Sequence, residues 1–147
     1  MNEFFDVAGK ADNFSARVIT ASNCVPLPKF DVERIPDYSR TGCRSQIAEV
    51  SKYVDTASTI VVAGMWQWQA QSEQFMQALS SFLDYTSERN IRVIVFAQIP
   101  MFDNSVMRVR RFAALGIPIT ITKNKEWEAD NDKVLALVQR YKSVEFF

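Results

Sequence analysis

The sequence predicts an α/β protein, a three-layer α/β/α sandwich built around a mainly parallel sheet. Two observations carry this expectation. Between Thr59 and Pro100, two short apolar runs rich in β-branched residues, TIVVAGMWQWQ and NIRVIVFAQIP, flank an amphipathic stretch long enough for one crossover helix. That is the pattern of a βαβ unit with both strands buried. Along the rest of the chain, strand-like and helix-like segments alternate, and alternation of this kind builds parallel sheets covered by helices. The 147 residues are read as one domain, 1–147, with a core large enough to fold without staples.

Taken in order, Asn2–Lys10 reads as the end of a helix, with Phe4, Phe5 and Val7 as its apolar contacts. Ala16–Ala21 reads as a short strand. Ser22–Arg40 is polar and proline-containing, an irregular loop of unusual length for a compact domain. Thr41–Val54 reads as a helix with Thr41 as its N-cap and Ile47, Val50 and Val54 on one face. Thr59–Met65 is expected as a buried strand. Gln71–Arg89 is the clearest helix, with Phe75, Leu79, Phe82, Leu83 and Thr86 in one stripe and Met76 beside it. Ile91–Ile99 is the second buried strand. Asn104–Leu115 reads as a helix ended by Gly116 and Pro118, and its Arg108, Arg110 and Arg111 as a solvated face. Ile119–Thr122 is a weak strand. Ala129–Lys142 is a helix with Val134, Leu137, Val138 and Tyr141 in its stripe and acidic residues near its start. Val144–Phe147 resembles the start of another strand. A helix fragment thus opens the chain and a strand stub closes it, and both ends read as cut.

Composition excludes several function classes. Lys and Arg number 17, as do Asp and Glu, so the net charge is zero and nucleic acid is a poor partner. The 4 glycines form no phosphate-binding loop and no nucleophile elbow. No apolar run approaches the about 20 residues that span a bilayer, and the N-terminus lacks the features of a signal peptide. No cofactor or metal is expected. The chain contains 0 histidines. This removes Ser-His and Cys-His nucleophilic arrangements and the usual general base near neutral pH.

Candidate site residues cluster at the predicted strand ends, where ligands of open α/β sheets bind. They are Gly64, Met65, Trp66 and Trp68 after one strand, and Gln98 after the next. The two tryptophans either cover the top of the core or wall a ligand pocket. Gln98 is either a satisfied polar residue beside a turn or a pocket residue. Ser22, Asn23 and Cys24 follow the Ala16–Ala21 segment; their backbone N–H groups suit an oxyanion pocket, and an Asx or Ser turn explains them equally. The residues alone leave Cys24 and Cys43 open as a disulfide or as two free thiols.

The run Thr20-Ala21-Ser22-Asn23-Cys24-Val25-Pro26-Leu27, then Cys43, then Ile60–Trp66, then Val93–Pro100, resembles the SGNH domain fused to bacterial membrane acyltransferases of the acyltransferase-3 type. Those domains carry a TAS-x-C-x-P loop, a second Cys before the next helix, a strand ending VVLA-x-x-W and a strand ending G/Q-x-P. The resemblance implies a flavodoxin-like fold and an extracytoplasmic location on the bacterial inner membrane. It implies a membrane acyl-donor domain and a surface glycan as partners. It also implies transfer of acyl groups, typically acetyl, to polysaccharide or lipopolysaccharide sugars, and a Cys24–Cys43 disulfide. The family nucleophile lies in Gly-Asp-Ser and its acid and base in Asp-x-x-His; neither motif occurs here. No catalytic residue can therefore be assigned, and the chain by itself is expected to be inactive. Met65 also stands where the family often has Arg.

The resemblance implies a first strand missing from the sheet interior. The expected consequence is that Ala16–Ala21 pairs directly with Thr59–Met65, that a strand is borrowed from another copy, or that the chain is marginally stable. Two other functions remain: a non-catalytic sugar- or protein-binding module using Trp66 and Trp68, and a flavodoxin-like nucleotide binder, which the absence of a phosphate loop disfavours.

Overall fold

A computed structural model of the chain describes residues 2–102, 104–123 and 125–147, with side chains from Val7 onward. The side chains of Phe4 and Phe5 lie outside the described residues. The chain divides into two units, residues 1–54 and 55–147, and each is described by itself.

In the first unit, helix α1 (Asn2–Asp12) ends at Asn13, whose φ of 55° is left-handed. Asparagine tolerates this conformation better than most residues. The Phe14 N–H closes the turn onto the Gly9 carbonyl at 3.0 Å. A Cβ on Gly9 would stand 2.6 Å from the Phe14 oxygen, so the turn depends on that glycine. The expected strand Ala16–Ala21 does not form; its only bridge is Ala21 to Cys24 across a tight turn. The segment has strand-forming side chains but no ladder to satisfy its backbone, and propensity without a neighbour makes no strand.

Helix α2 (Asp37–Tyr53) starts four residues before the expected Thr41, directly after Pro36. Proline at a helix start costs nothing, because the first N–H groups have no intrahelical partner. Arg40 fixes this start. It bonds the carbonyls of Ile35 (3.1 Å) and Glu33 (2.8 Å) and pairs with Asp37 (2.8 Å) and Glu33 (3.0 Å). The Asp31 side chain meanwhile caps a 3-10 turn at Val32–Arg34. Cys24 and Cys43 form a disulfide across a separation of 19 residues, tying the turn to α2.

The second unit holds a three-stranded parallel sheet in the order β1 (Thr59–Val62), β2 (Arg92–Val95), β3 (Val144–Phe146). Ile60 pairs with Val93, and Val93 with Val144. Between β1 and β2 lie a short helix α3 (Trp66–Gln69) and the long α4 (Glu73–Glu88); between β2 and β3 lie α5 (Val106–Ala114) and α6 (Glu126–Val138). The expected strand Ile119–Thr122 is absent. Pro118 precedes it, and the backbone there finds only one bridge, Phe102 to Lys123. Strands β1 and β2 are shorter than the expected Thr59–Met65 and Ile91–Ile99, because Met65 turns the chain into α3 and the ladder after β2 gives way to side-chain bonds.

Helix α4 buries Phe75, Ala78, Leu79, Phe82, Leu83 and Thr86, the stripe legible in the sequence, and Ser72 caps it through the Phe75 N–H. Thr86 is fully buried and returns its hydroxyl to the Phe82 and Leu83 carbonyls. Helix α6 starts three residues before the expected Ala129 and buries Asn131, Val134, Leu137 and Val138. Helices α4 and α6 touch each other and pack on β2 and β3, so both cover one sheet face. That face presents Val62, Val93, Val95 and Val144, all buried. On the other face Val61 is exposed, which corrects the expectation of a fully buried strand, and Arg92 bonds Glu145 at 2.6 Å. Among the described residues β1 pairs only with β2, so its outer edge gains neither the Ala16–Ala21 segment nor another strand.

Two predictions follow from these ties. Cys24→Ser with Cys43→Ser should lower the stability of the first unit by about 3 kcal/mol, from the entropy of the opened loop. Urea unfolding of the double variant should match that of the wild type under a reductant. The Arg92 hydrogen bond holds the Glu145 carboxyl below its usual range. Its stabilising effect is therefore complete above the unfolded carboxylate pKa and is lost as pH falls through the lower folded value. Acid titration of thermal stability should show a shallower loss for Glu145→Gln than for wild type.

Candidate functional site

The carboxyl ends of β1 and β2 are locked by a buried set of neutral amides. The Phe96 N–H makes a ladder bond to Val62 and the Ala97 N–H one to Phe147, and there the strand register stops. The Gln98 backbone is then satisfied by the side chain of Asn131 on α6: its N–H donates to Asn131 Oδ1 at 2.9 Å and its carbonyl accepts from Nδ2 at 3.0 Å. One side-chain amide thus replaces a neighbouring strand. The Gln98 side chain does the same for α3, accepting from the Gln67 N–H at 2.9 Å and donating to Gln67 Oε1 at 3.0 Å. Gln67, Gln98 and Asn131 are all buried, and such groups persist only when hydrogen-bonded.

The two tryptophans part company. Trp66 is 0% exposed, donates its indole N–H to the Phe96 carbonyl at 2.7 Å and stands 6.1 Å from the Phe75 ring. Trp68, two residues on, is 53% exposed. A helical turn at Trp66–Gln69 puts these side chains on opposite sides, where an extended strand would put them on one. Gly64 and Met65 are half-buried between β1 and α3.

Ser22, Asn23 and Cys24 form a group of their own in the first unit. Asn23 has φ of 58° in the turn closed by the Ala21–Cys24 bridge. Its side-chain amide donates to Ser39 Oγ at 3.0 Å and to the Tyr38 hydroxyl at 3.3 Å, joining the turn to α2. Ser22 is exposed and Cys24 is held by the disulfide.

Sequence reasoning singled out Gln98 and passed over Gln67 and Asn131. Asn131 did leave a signal, since it stands three and seven residues before Val134 and Val138, on the buried stripe of α6. A polar residue on an apolar stripe marks a buried hydrogen-bond partner.

Each resolved shift moves away from neutrality. Hydrogen bonds from Lys52, Lys123 and Arg92 lower the carboxyls of Glu49, Glu128 and Glu145. The bond to Glu49 raises Lys52, the bond to Asp55 raises Tyr85, and burial raises Tyr141. Tyr141 donates to Asp84 Oδ1 at 2.8 Å and lies 3.1 Å from Ser80 Oγ. A phenol so raised keeps its proton and does not activate Ser80. A groove of about 560 Å³ between α4 and α6, lined by Glu73, Met76, Lys133 and Arg140 among others, also lacks a nucleophile with a base. Among the described residues no Asp, Glu or Cys group could hold a metal ion. Of the strand-end set, the exposed Trp68 indole is the group open to a ligand, and the buried amides hold the elements around it in place.

Comparison with known proteins agrees with this frame. No curated protein and no solved structure matches the chain. A family model described as the SGNH domain fused to AT3 domains matches residues 1–147. That fusion implies a membrane acyltransferase domain as partner and an acyltransferase-associated role, although no helix among the described residues is long and apolar enough to cross a membrane. The resemblance in the TAS-x-C-x-P loop, the second cysteine and the two strand ends thus has its explanation: the chain belongs to the family of SGNH domains fused to AT3 domains.

Proposed function

We propose that this chain is part of an SGNH-type domain that O-acylates cell-surface polysaccharide or lipopolysaccharide sugars, typically with acetyl groups, and that the chain alone is inactive. The acyl group comes from the membrane AT3 partner, and the work takes place on the extracytoplasmic side, where the Cys24–Cys43 disulfide is at home. The observation that supports an acceptor-handling role most directly is the strand-end set: the amide lock of Gln67, Gln98 and Asn131 with an exposed Trp68 beside it. A sugar offers a C–H face, which an exposed indole such as Trp68 recognises, and the buried amides fix the turn that presents it. In this reading Gly64, Met65 and Trp66 shape the acceptor side on the second unit, Ser22, Asn23 and Cys24 form a separate candidate oxyanion-side group on the first, and no residue of the chain is assigned as a catalytic nucleophile. The absence of histidine from the sequence supports the same division of labour.

A non-catalytic sugar- or protein-binding module is the second reading, favoured by Trp68 being 53% exposed. Coding DNA on both sides of the frame separates the two: Gly-Asp-Ser upstream and Asp-x-x-His downstream support the acyltransferase, and genuine start and stop signals with neither motif nearby support the module.

Support and contact residues should behave differently. Gln98→Ala strands the Gln67 N–H and Oε1 in a buried site and should cost about 2–4 kcal/mol of stability, seen in urea unfolding. Trp68→Ala should leave stability within about 0.5 kcal/mol and weaken binding of the cognate surface glycan by about tenfold or more in calorimetry. Equal glycan affinity in Trp68→Ala would remove the acceptor role of this surface. The wild-type chain should not hydrolyse an acetylated chromogenic ester, and turnover would refute the assignment of chemistry to residues outside it.

A further inference from the structure

The strongest unexplained feature lies away from the strand ends. Residues 104–125 contain five cations, Arg108, Arg110, Arg111, Lys123 and Lys125, and no Asp or Glu. Elsewhere the chain carries twelve basic against seventeen acidic residues, so a neutral protein is sharply polarised. This stretch also concentrates apolar exposure. Half of the large apolar side chains exposed among the described residues fall between Ile99 and Ile121. Phe102, Val106, Ile117 and Ile121 are exposed, Met107 is 60% exposed and Leu115 73%.

Helix α5 organises these groups. It buries none of its residues. Val109 and Phe112, three apart, are half-buried and mark its inward side. Met107, Arg111 and Leu115 follow at i, i+4 and i+8, with Arg108 and Arg110 flanking them. Arg108, Arg110 and Arg111 have no ion-pair partner among the described residues. Ser105 caps the start through the Arg108 N–H. Gly116, at φ 71°, ends the helix with the bonds Gly116 N–H to Ala113 and Ile117 N–H to Phe112. The helix is therefore well terminated while its outer face mixes long apolar side chains with guanidinium groups.

We propose that the 99–125 arm docks the domain on the surface of an anionic phospholipid bilayer. Met107, Leu115 and their exposed apolar neighbours enter the boundary between headgroups and acyl chains, and the three arginines bond lipid phosphates. Charge complementarity selects this occupant, because five of the six charged side chains of 99–125 are cations, Asp103 being the sixth, and the apolar side chains between them need an apolar medium. An acidic protein surface would meet the charges and leave Met107 and Leu115 in water. The inference goes beyond the glycan reading and does not depend on it: vesicle binding is read without sugar, and loss of either leaves the other standing.

The test is flotation of the full chain with vesicles of phosphatidylcholine alone or mixed with phosphatidylglycerol, at low and high salt. The wild type should partition only onto the mixed vesicles, less at high salt. Arg108→Gln, Arg110→Gln and Arg111→Gln together should weaken partitioning on the order of 100-fold, and Arg110→Gln alone about 5-fold. Met107→Ser with Leu115→Ser should weaken it about tenfold or more. All the substituted side chains are exposed, so circular dichroism should be unchanged, and the single arginine variant tests the idea if a multiple variant unfolds. A wild type that does not bind anionic vesicles overturns the proposal, as does binding unchanged by loss of the arginines. Loss on removing the arginines but not on removing Met107 and Leu115 also overturns it, because it leaves electrostatic attraction without insertion of apolar side chains.

Discussion

The fold of the second unit depends on satisfying the backbone where its parallel sheet stops. A strand that outruns its neighbours leaves buried N–H and C=O groups, and each costs about 1–3 kcal/mol if left unpaired. At the end of β2 this demand falls on Gln98, and the chain answers it with Asn131 from α6, whose amide takes the place of a strand. The same residue then offers its side chain to Gln67, which fixes α3 and through it the burial of Trp66 against Phe75. Three elements, β2, α3 and α6, thus meet at one glutamine. The exposed Trp68 is carried on α3, which this amide set ties to the end of β2.

The apolar stripes made much of this legible. Helix α4 announces itself through Phe75, Leu79, Phe82 and Leu83, and β2 through three consecutive β-branched residues, Val93, Ile94 and Val95, of the kind a buried parallel strand accommodates. What the sequence did not disclose is what depends on partners distant along the chain. Ala16–Ala21 has a strand's composition and no strand beside it to pair with, so it stays irregular. Ile119–Thr122 fails for the same reason, helped by Pro118. Trp66 and Trp68 look equivalent until the chain turns helical at Met65, which buries one and exposes the other. The family resemblance correctly named the frame, and it could not say which of the two indoles faces water.

Charge is arranged with the same economy. The ion pairs of Arg92 with Glu145, Lys52 with Glu49 and Lys123 with Glu128 push their carboxylates down, and the first two push their bases up. Those are the shifts of structural pairs. The arginines of α5 stand apart from these pairs, which is why that arm reads as a surface held for a partner and not as a stabilising network.

Acyl transfer through a serine needs a base whose pKa lies near the working pH, because a weaker base does not take the proton and a stronger one already holds it. Catalytic sites obtain such a base by burying carboxylates or lysines so that their pKa values move toward neutrality. Here every resolved shift moves the other way, the two cysteines are consumed in a disulfide, and the sequence holds no imidazole. The strand-end groups that remain are amides, which do not titrate at all. A surface of this kind can still contribute to rate, since holding an acceptor hydroxyl in line with an acyl donor supplies several kcal/mol of a barrier without any proton transfer. In the proposed reading the chain's own residues position the acceptor, and glycan binding, measured alongside turnover, reports that contribution.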